Sequence, residues 1–274
     1  MSELTVWKGH GTENDFVVLP DLDSALDLTT DQVRHLCDRR AGIGADGVLR
    51  VVRSQTVPDW ADPDTEFAMD FRNADGTTGE MCGNGVRVFA RYLQEAGLWS
   101  GGPVRIATRG GTRAVTAGAD GRFTVDMGEP EVEQRTVQVR TGHFAGAGTP
   151  VAMPNPHVVV VLDADRLAAL DLCTAPEVTP ELPHGQNVEF AVSLGGRHAR
   201  MRVHERGVGE TRSCGTGICS VVAVLAGADH TGEWQVDVPG GSCSVTWTAG
   251  GALLLAGPAV LVGRVELSPD WLDR

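Results

Sequence analysis

Hydrophobic and polar positions alternate in the same phase along two distant stretches of the chain. Phe67, Met69 and Phe71 alternate with polar or small residues, and so do Ala199, Met201 and Val203. A period of two predicts a half-buried strand in each place. The first trio lies 15, 13 and 11 residues before Cys82, and the second lies at the same distances before Cys214. Each cysteine opens a short glycine motif, Cys82-Gly83-Asn84-Gly85 and Cys214-Gly215-Thr216-Gly217. An apolar segment follows each motif, VRVFARYLQEAG up to Gly97 and ICSVVAVLAG up to Gly227. Both read as helices closed by glycine. RIATRGGTRAV and VDVPGGSCSV come next and read as hairpins.

The correspondence extends upstream. Asp46 precedes Cys82 by 36 residues and Asn187 precedes Cys214 by 27, while Asn14 and Asn155 precede them by 68 and 59. Both differences are nine, so one nine-residue insertion explains both. PDWADPDTE (Pro58 to Glu66) fits it, as a loop decorating the surface. An internal duplication predicts an α+β fold of two pseudo-symmetric domains, each a β-sheet or barrel wrapped around a central helix, with the active site in the cleft between them. The expected boundaries are 1–128, completed by a C-terminal strand within 259–274, and 129–258. A length of 274 residues suits two such domains. The 35 glycines, well above the ~7% of ordinary chains, suit a turn-rich β fold.

Charge and composition narrow the function. A net charge of −13 repels nucleic acid and anionic membranes. MSELTVWKGHG lacks the layout of a signal peptide, and the apolar stretch from Ile218 to Ala226 is far shorter than the ~18 residues of a membrane span. A cytoplasmic protein is expected, with neither a nucleic acid nor a membrane partner. The six cysteines, at 37, 82, 173, 214, 219 and 243, include no C-x-x-C pair. Neither a disulfide scaffold nor a zinc site is expected, and no metal is assigned. Cys37, at helical spacing from Val33, reads as core packing. Lys8 is the single lysine, in a strand-like stretch without a phosphate-cradling motif. A pyridoxal phosphate enzyme needs a Schiff-base lysine, so no cofactor is expected.

The two cysteine motifs carry the chemistry. A cysteine just before a helix meets free amide N–H groups and the positive end of the helix dipole, which stabilise a thiolate. The glycines after it let backbone N–H groups approach a carboxylate. Two such thiols on opposite faces of a Cα suit stereochemical inversion, one removing a proton and the other delivering one. Hydrogen bonds to the carboxylate would strengthen as it takes up enediolate charge. Asn14, Asn73, Asn155, Asn187, Glu205, Arg206 and His157 cluster at strand ends and predict a polar pocket, with Arg206 available to a second carboxylate. A thiol redox or sensor pair is the competing reading of Cys82 and Cys214.

With these residues in view, the chain closely resembles the diaminopimelate epimerase family. GTENDFVV, RRAGIGADG, FRNADGTTGEMCGNGVR, MPNPHVVV, QNVEF and HERGVGETRSCGTG carry the resemblance nearly end to end. It implies that Cys82 and Cys214 are the acid/base thiols. It implies that Gly83, Asn84, Gly215 and Thr216 hold the reacting α-carboxylate. Asn14, Asn73, Asn155, Asn187, Glu205 and Arg206 are implied to hold other polar groups of the substrate. His157 and Glu205 are implied to adjust the thiol pKa values. The family interconverts LL- and meso-diaminopimelate without pyridoxal phosphate or metal, and the resemblance suggests a homodimer. Many members carry Gln where this chain has Gly47, so position 47 is left out of the site.

Overall fold

The computed structural model describes residues 4–268. The expected C-terminal strand is Val260–Leu267; residues 269–274 of the expected span lie outside the described residues. The chain divides into two compact units, Met1–Val125 with Pro258–Arg274, and Asp126–Gly257.

The first unit begins with β1 (Leu4–Gly11) and β2 (Asn14–Pro20), joined by a two-residue turn. Helix α1 (Thr30–Cys37) starts at a capping box between Thr29 and Gln32. β3 (Gly47–Arg53), β4 (Phe67–Asn73), helix α2 (Gly83–Glu95), β5 (Val104–Ala107) and β6 (Arg113–Ala117) follow, and β7 (Phe123–Gly128) begins in this unit and ends in the second. The pairing runs β1–β2 antiparallel, β2–β3 parallel, β3–β4 antiparallel, β4–β5 parallel, and β5–β6 and β6–β7 antiparallel. The C-terminal strand adds to the outer side of β1. α2 packs inside this sheet against β1, β2, β3, β4, β6 and the C-terminal strand. Val86, Val88, Phe89 and Leu93 of α2 are fully buried, as a helix enclosed by a sheet requires.

The second unit comprises β8 (Glu131–Val132), β9 (Val137–Thr141), β10 (Phe144–Ala152), β11 (Pro156–Val161), α3 (Ala164–Ala169) and β12 (Glu177–Thr179). It continues with β13 (Asn187–Gly195), β14 (His198–Glu205), β15 (Gly209–Thr211), α4 (Gly215–Ala226), β16 (Glu233–Val238), β17 (Gly241–Trp247) and β18 (Leu253–Gly257). Its order of pairing repeats that of the first unit: β10–β11 antiparallel, β11–β13 parallel, β13–β14 antiparallel, β14–β16 parallel, β16–β17 and β17–β18 antiparallel. α4 packs against β10, β11, β13, β14, β17 and β18, and is buried from Gly215 to Ala223.

Three details differ from the sequence expectation. The register sets Val18 beside Leu49 and Leu49 beside Phe71, where the second unit sets Val159 beside Glu189 and Glu189 beside Val203. Leu49 therefore corresponds to Glu189, and Gly47, not Asp46, corresponds to Asn187. Eight of the nine extra residues lie between β3 and β4, and one lies between β2 and β3. The insertion is also more than decoration. Ala61 and Thr65 are buried, Trp60 and Val57 pack on a small cluster with Val52, Ala68 and Ala107, and Arg109 stacks on Trp60 at 4.3 Å. Finally, β4 is buried on both faces. On the face opposite Met69 and Phe71, Asp70 is held by Arg50, Arg72 and Arg109, a partner set that alternation cannot reveal.

Candidate active site

In the first unit Cys82 is the N-cap of α2. Its backbone is extended, its carbonyl accepts from Val86 N–H, and its Sγ accepts from Gly85 N–H at 3.4 Å. That donor favours a thiolate. An acceptor, Asn14 Oδ1, lies 3.6 Å from the same sulfur and receives the thiol hydrogen when present. Cys82 thus has partners for both protonation states.

The orientation of the Asn14 amide follows from its neighbours. Arg87, fully buried one turn into α2, donates to Asn84 Oδ1 at 2.7 Å. The Asn84 amide must then donate, and it does so to Asn14 Oδ1 at 3.1 Å. Asn14 Nδ2 donates in turn to Asp46 Oδ2 at 2.7 Å. A guanidinium, which only donates, and a carboxylate therefore fix both amides between them. Arg39 joins Asp46 to Asp15 at 2.7 and 2.8 Å, and Lys8 Nζ binds Asp15 at 2.6 Å. Burial alone would raise Asp15, but hydrogen bonds from Arg39 and Lys8 hold its carboxyl well below the usual range. Burial and the Asp15 charge push Asp46 upward. Thr12 and Glu13, in the turn before Asn14, both have positive φ (49° and 61°), which strains a β-branched threonine. Arg87 reaches Thr12 Oγ1 as well. Asn73, at the end of β4, donates to Thr77 Oγ1 at 3.0 Å and braces the following turn.

In the second unit Cys214 is the N-cap of α4 in nearly the same extended conformation, and its carbonyl accepts from Ile218 N–H. Its Sγ lies 3.4 Å from Thr216 Oγ1. Burial, then the charges of Glu205 and Glu189, push its thiol well above the ordinary range. Cys214 is therefore protonated at neutral pH. Glu205 takes a hydrogen bond from Thr211 Oγ1 and is pushed up to about 7, by burial first and by the Glu189 charge, against the pull of Thr211, His157 and the Cys214 thiol. His157 is fully buried, with Nδ1 2.7 Å from Glu189 Oε1 and Nε2 2.9 Å from Asn155 Oδ1. Asn187 Oδ1 accepts Arg206 N–H at 2.9 Å, and the Arg206 guanidinium donates to the His184 carbonyl.

The structure thus gathers Asn14, Cys82 and Asn84 in one unit, and Asn155, His157, Glu205, Cys214 and Thr216 in the other. Sequence reading missed Glu189 and Arg87. The signal for Glu189 was present: QNVEF places a carboxylate inside an apolar strand, an arrangement that burial makes costly. Arg87 was hidden because an arginine in a helix ordinarily faces water. Among the described residues no His, Cys, Asp or Glu group is arranged to hold a metal, and no helix is long and apolar enough to cross a membrane.

The whole architecture matches solved structures. A probable proline racemase from Agrobacterium radiobacter superposes with a TM-score of 0.70 at 16% identity, covering 98% of this chain and 95% of that one. A Bacillus anthracis phenazine biosynthesis protein of the PhzF family superposes at 0.69 and 16%, covering 98% and 100%. A hydroxyproline epimerase from Agrobacterium vitis gives 0.68 and 13%, covering 98% and 93%. The fold is the one these proteins share, built here as two like units, each around a buried helix. Sequence similarity carries the assignment further. The family profile described as diaminopimelate epimerase matches residues 6–133 and 149–262. The diaminopimelate epimerase of Streptomyces coelicolor is 48% identical over 97% of this chain and 96% of its own, and that of Thermobifida fusca is 47% identical over 95% and 97%. The chain belongs to the diaminopimelate epimerase family.

Proposed function

We propose that this chain interconverts LL- and meso-diaminopimelate, with Cys82 and Cys214 as the acid/base pair on opposite faces of the reacting Cα. The observation that carries the proposal is the pair of N-cap cysteines on two buried helices of matching units, each followed by a glycine whose amide hydrogen faces the cap. One sulfur takes the Cα proton as a thiolate, and the C–H electron pair passes into the carboxylate as an enediolate. The other sulfur gives its proton to the opposite face, so the two sulfurs end with exchanged protonation states. The backbone amides of Gly83, Asn84, Gly215 and Thr216 hold the α-carboxylate where the enediolate charge develops. Cys214, whose environment keeps it protonated, is the acid in the free enzyme, which leaves Cys82 as the base. Asn14, Asn73, Asn155, Asn187, Glu205 and Arg206 bind the remaining amino and carboxyl groups. His157 and Glu205 tune Cys214.

Chemistry without pyridoxal phosphate fits the state of the single lysine. Lys8 Nζ is held by Asp15 and the Gly44 carbonyl. A homodimer acting in the cytoplasm, in the synthesis of lysine and peptidoglycan precursors, completes the reading.

Cys82→Ala and Cys214→Ala test it. Each is expected to lower kcat by at least ~10²-fold, the usual cost of losing a positioned acid or base, with the circular dichroism spectrum unchanged. Retention of a tenth of the activity by either folded variant would refute the two-thiol mechanism.

A further inference from the structure

The two units differ where their likeness should be strictest. Under the N-terminus of α2 the first unit places Phe16 and Leu49, both buried. The corresponding positions under α4 are His157 and Glu189, both with no exposed surface. An apolar pair therefore suffices to pack this part of the fold. Replacing it with an acid and an imidazole costs desolvation that packing does not return.

The contacts say what the polar pair accomplishes. Both His157 nitrogens face oxygen, Glu189 Oε1 at 2.7 Å and Asn155 Oδ1 at 2.9 Å. Glu189 Oε2 is buried and has no hydrogen-bond partner among the described residues. A bare carboxylate in that position, beside Glu205 and Cys214, would be a buried uncompensated charge. A second proton, held at Nδ1 against the Glu189 carboxylate, removes the net charge of the pair. With that proton, Nε2–H donates to Asn155 Oδ1, and the Asn155 Nδ2 group is turned outward as a donor. Gly217 is part of the device: a Cβ there would lie 2.6 Å from Glu189 Oε1. The matching Asn14 is fixed the opposite way. Its Nδ2 is bound by Asp46, which leaves Oδ1 as the group beside Cys82.

We infer that Glu189 is a positioning residue, sharing a proton with His157 in a neutral buried pair that fixes the Asn155 amide with its Nδ2 donor toward an acceptor of the substrate. The inference deepens the epimerase reading, on which its kinetic arm rests. It assigns opposite polarity to two repeat-equivalent asparagines, an acceptor at Asn14 and a donor at Asn155. The two units thereby differ in direction, which suits a ligand whose two ends are bound differently.

The direct test is the ring-nitrogen spectrum of ¹⁵N-histidine-labelled, ligand-free protein, with His157 assigned by its loss in His157→Gln. The pair predicts a protonated Nε2 in the wild type and in Glu189→Gln, where the amide can donate to Nδ1. An unprotonated Nε2 in the wild type overturns the inference, because Asn155 would then be the donor. Kinetics give the second arm. Glu189→Gln is expected to stay within about fivefold of wild-type kcat/KM, whereas Glu189→Leu, which leaves Nδ1 unpaired, should lose at least about tenfold, mostly through KM. Wild-type KM in folded Glu189→Leu also overturns it. Should Glu189→Leu fail to fold, the wild-type spectrum still decides. Absence of turnover by the wild type would count against the epimerase reading and leave the spectroscopic result standing.

Discussion

Glu205 carries the residue-scale prediction for pH. Its carboxyl is pushed from 4.5 to about 7, so it is neutral below that value and anionic above it. An anionic Glu205 attracts the substrate ammonium, and kcat/KM should rise as pH increases through about 7. In Glu205→Gln that limb should disappear and the plateau should fall; a limb unchanged in position would assign it to another group. Glu205 and both cysteines were legible in the sequence because the duplication placed them at corresponding offsets. Glu189 and Arg87 were not, because their importance lies in what they touch. Leu49 occupies the position matching Glu189, so comparing the halves in the correct register exposes the acid at once. The nine-residue offset hid that register by a single residue.

At the scale of elements, the cysteine-bearing helix termini are shaped by their glycines. A Cβ at Gly217 would collide with Glu189 Oε1, whereas one at Gly85 would meet Leu49 Cδ2 at 3.1 Å. Gly217→Ala is expected to destabilise by about 1–3 kcal/mol in urea unfolding, as overpacking does, and to lose activity. Wild-type stability and rate in that variant would show that α4 does not need the close approach. The double variant His157→Phe with Glu189→Leu imports the first unit's own packing. It should unfold at the same or higher urea concentration than wild type while losing activity. A large loss of stability would show that the polar pair holds the fold. The strands and helices themselves were readable from period and glycine punctuation. Burial of β4 on both faces was not, since Asp70 needs three arginines brought from β3, β4 and the loop after β5.

At the scale of the molecule, duplication supplies the scaffold and departures from it supply direction. The sheets repeat their order of pairing, but Phe16 and Leu49 give way to His157 and Glu189, and Cys214 sits beside Glu205 and Glu189. Light scattering on the purified protein is expected to give about twice the 29.0 kDa chain mass, as the homodimer requires; a single chain mass at micromolar concentration would exclude it. The central claim is proton exchange at one Cα by two thiols. The measurement that meets it most directly is NMR of LL-diaminopimelate with reduced, cofactor-free protein in D₂O. The account predicts loss of an α-proton signal together with formation of the meso isomer carrying deuterium at the inverted centre. No exchange under reducing conditions would contradict it.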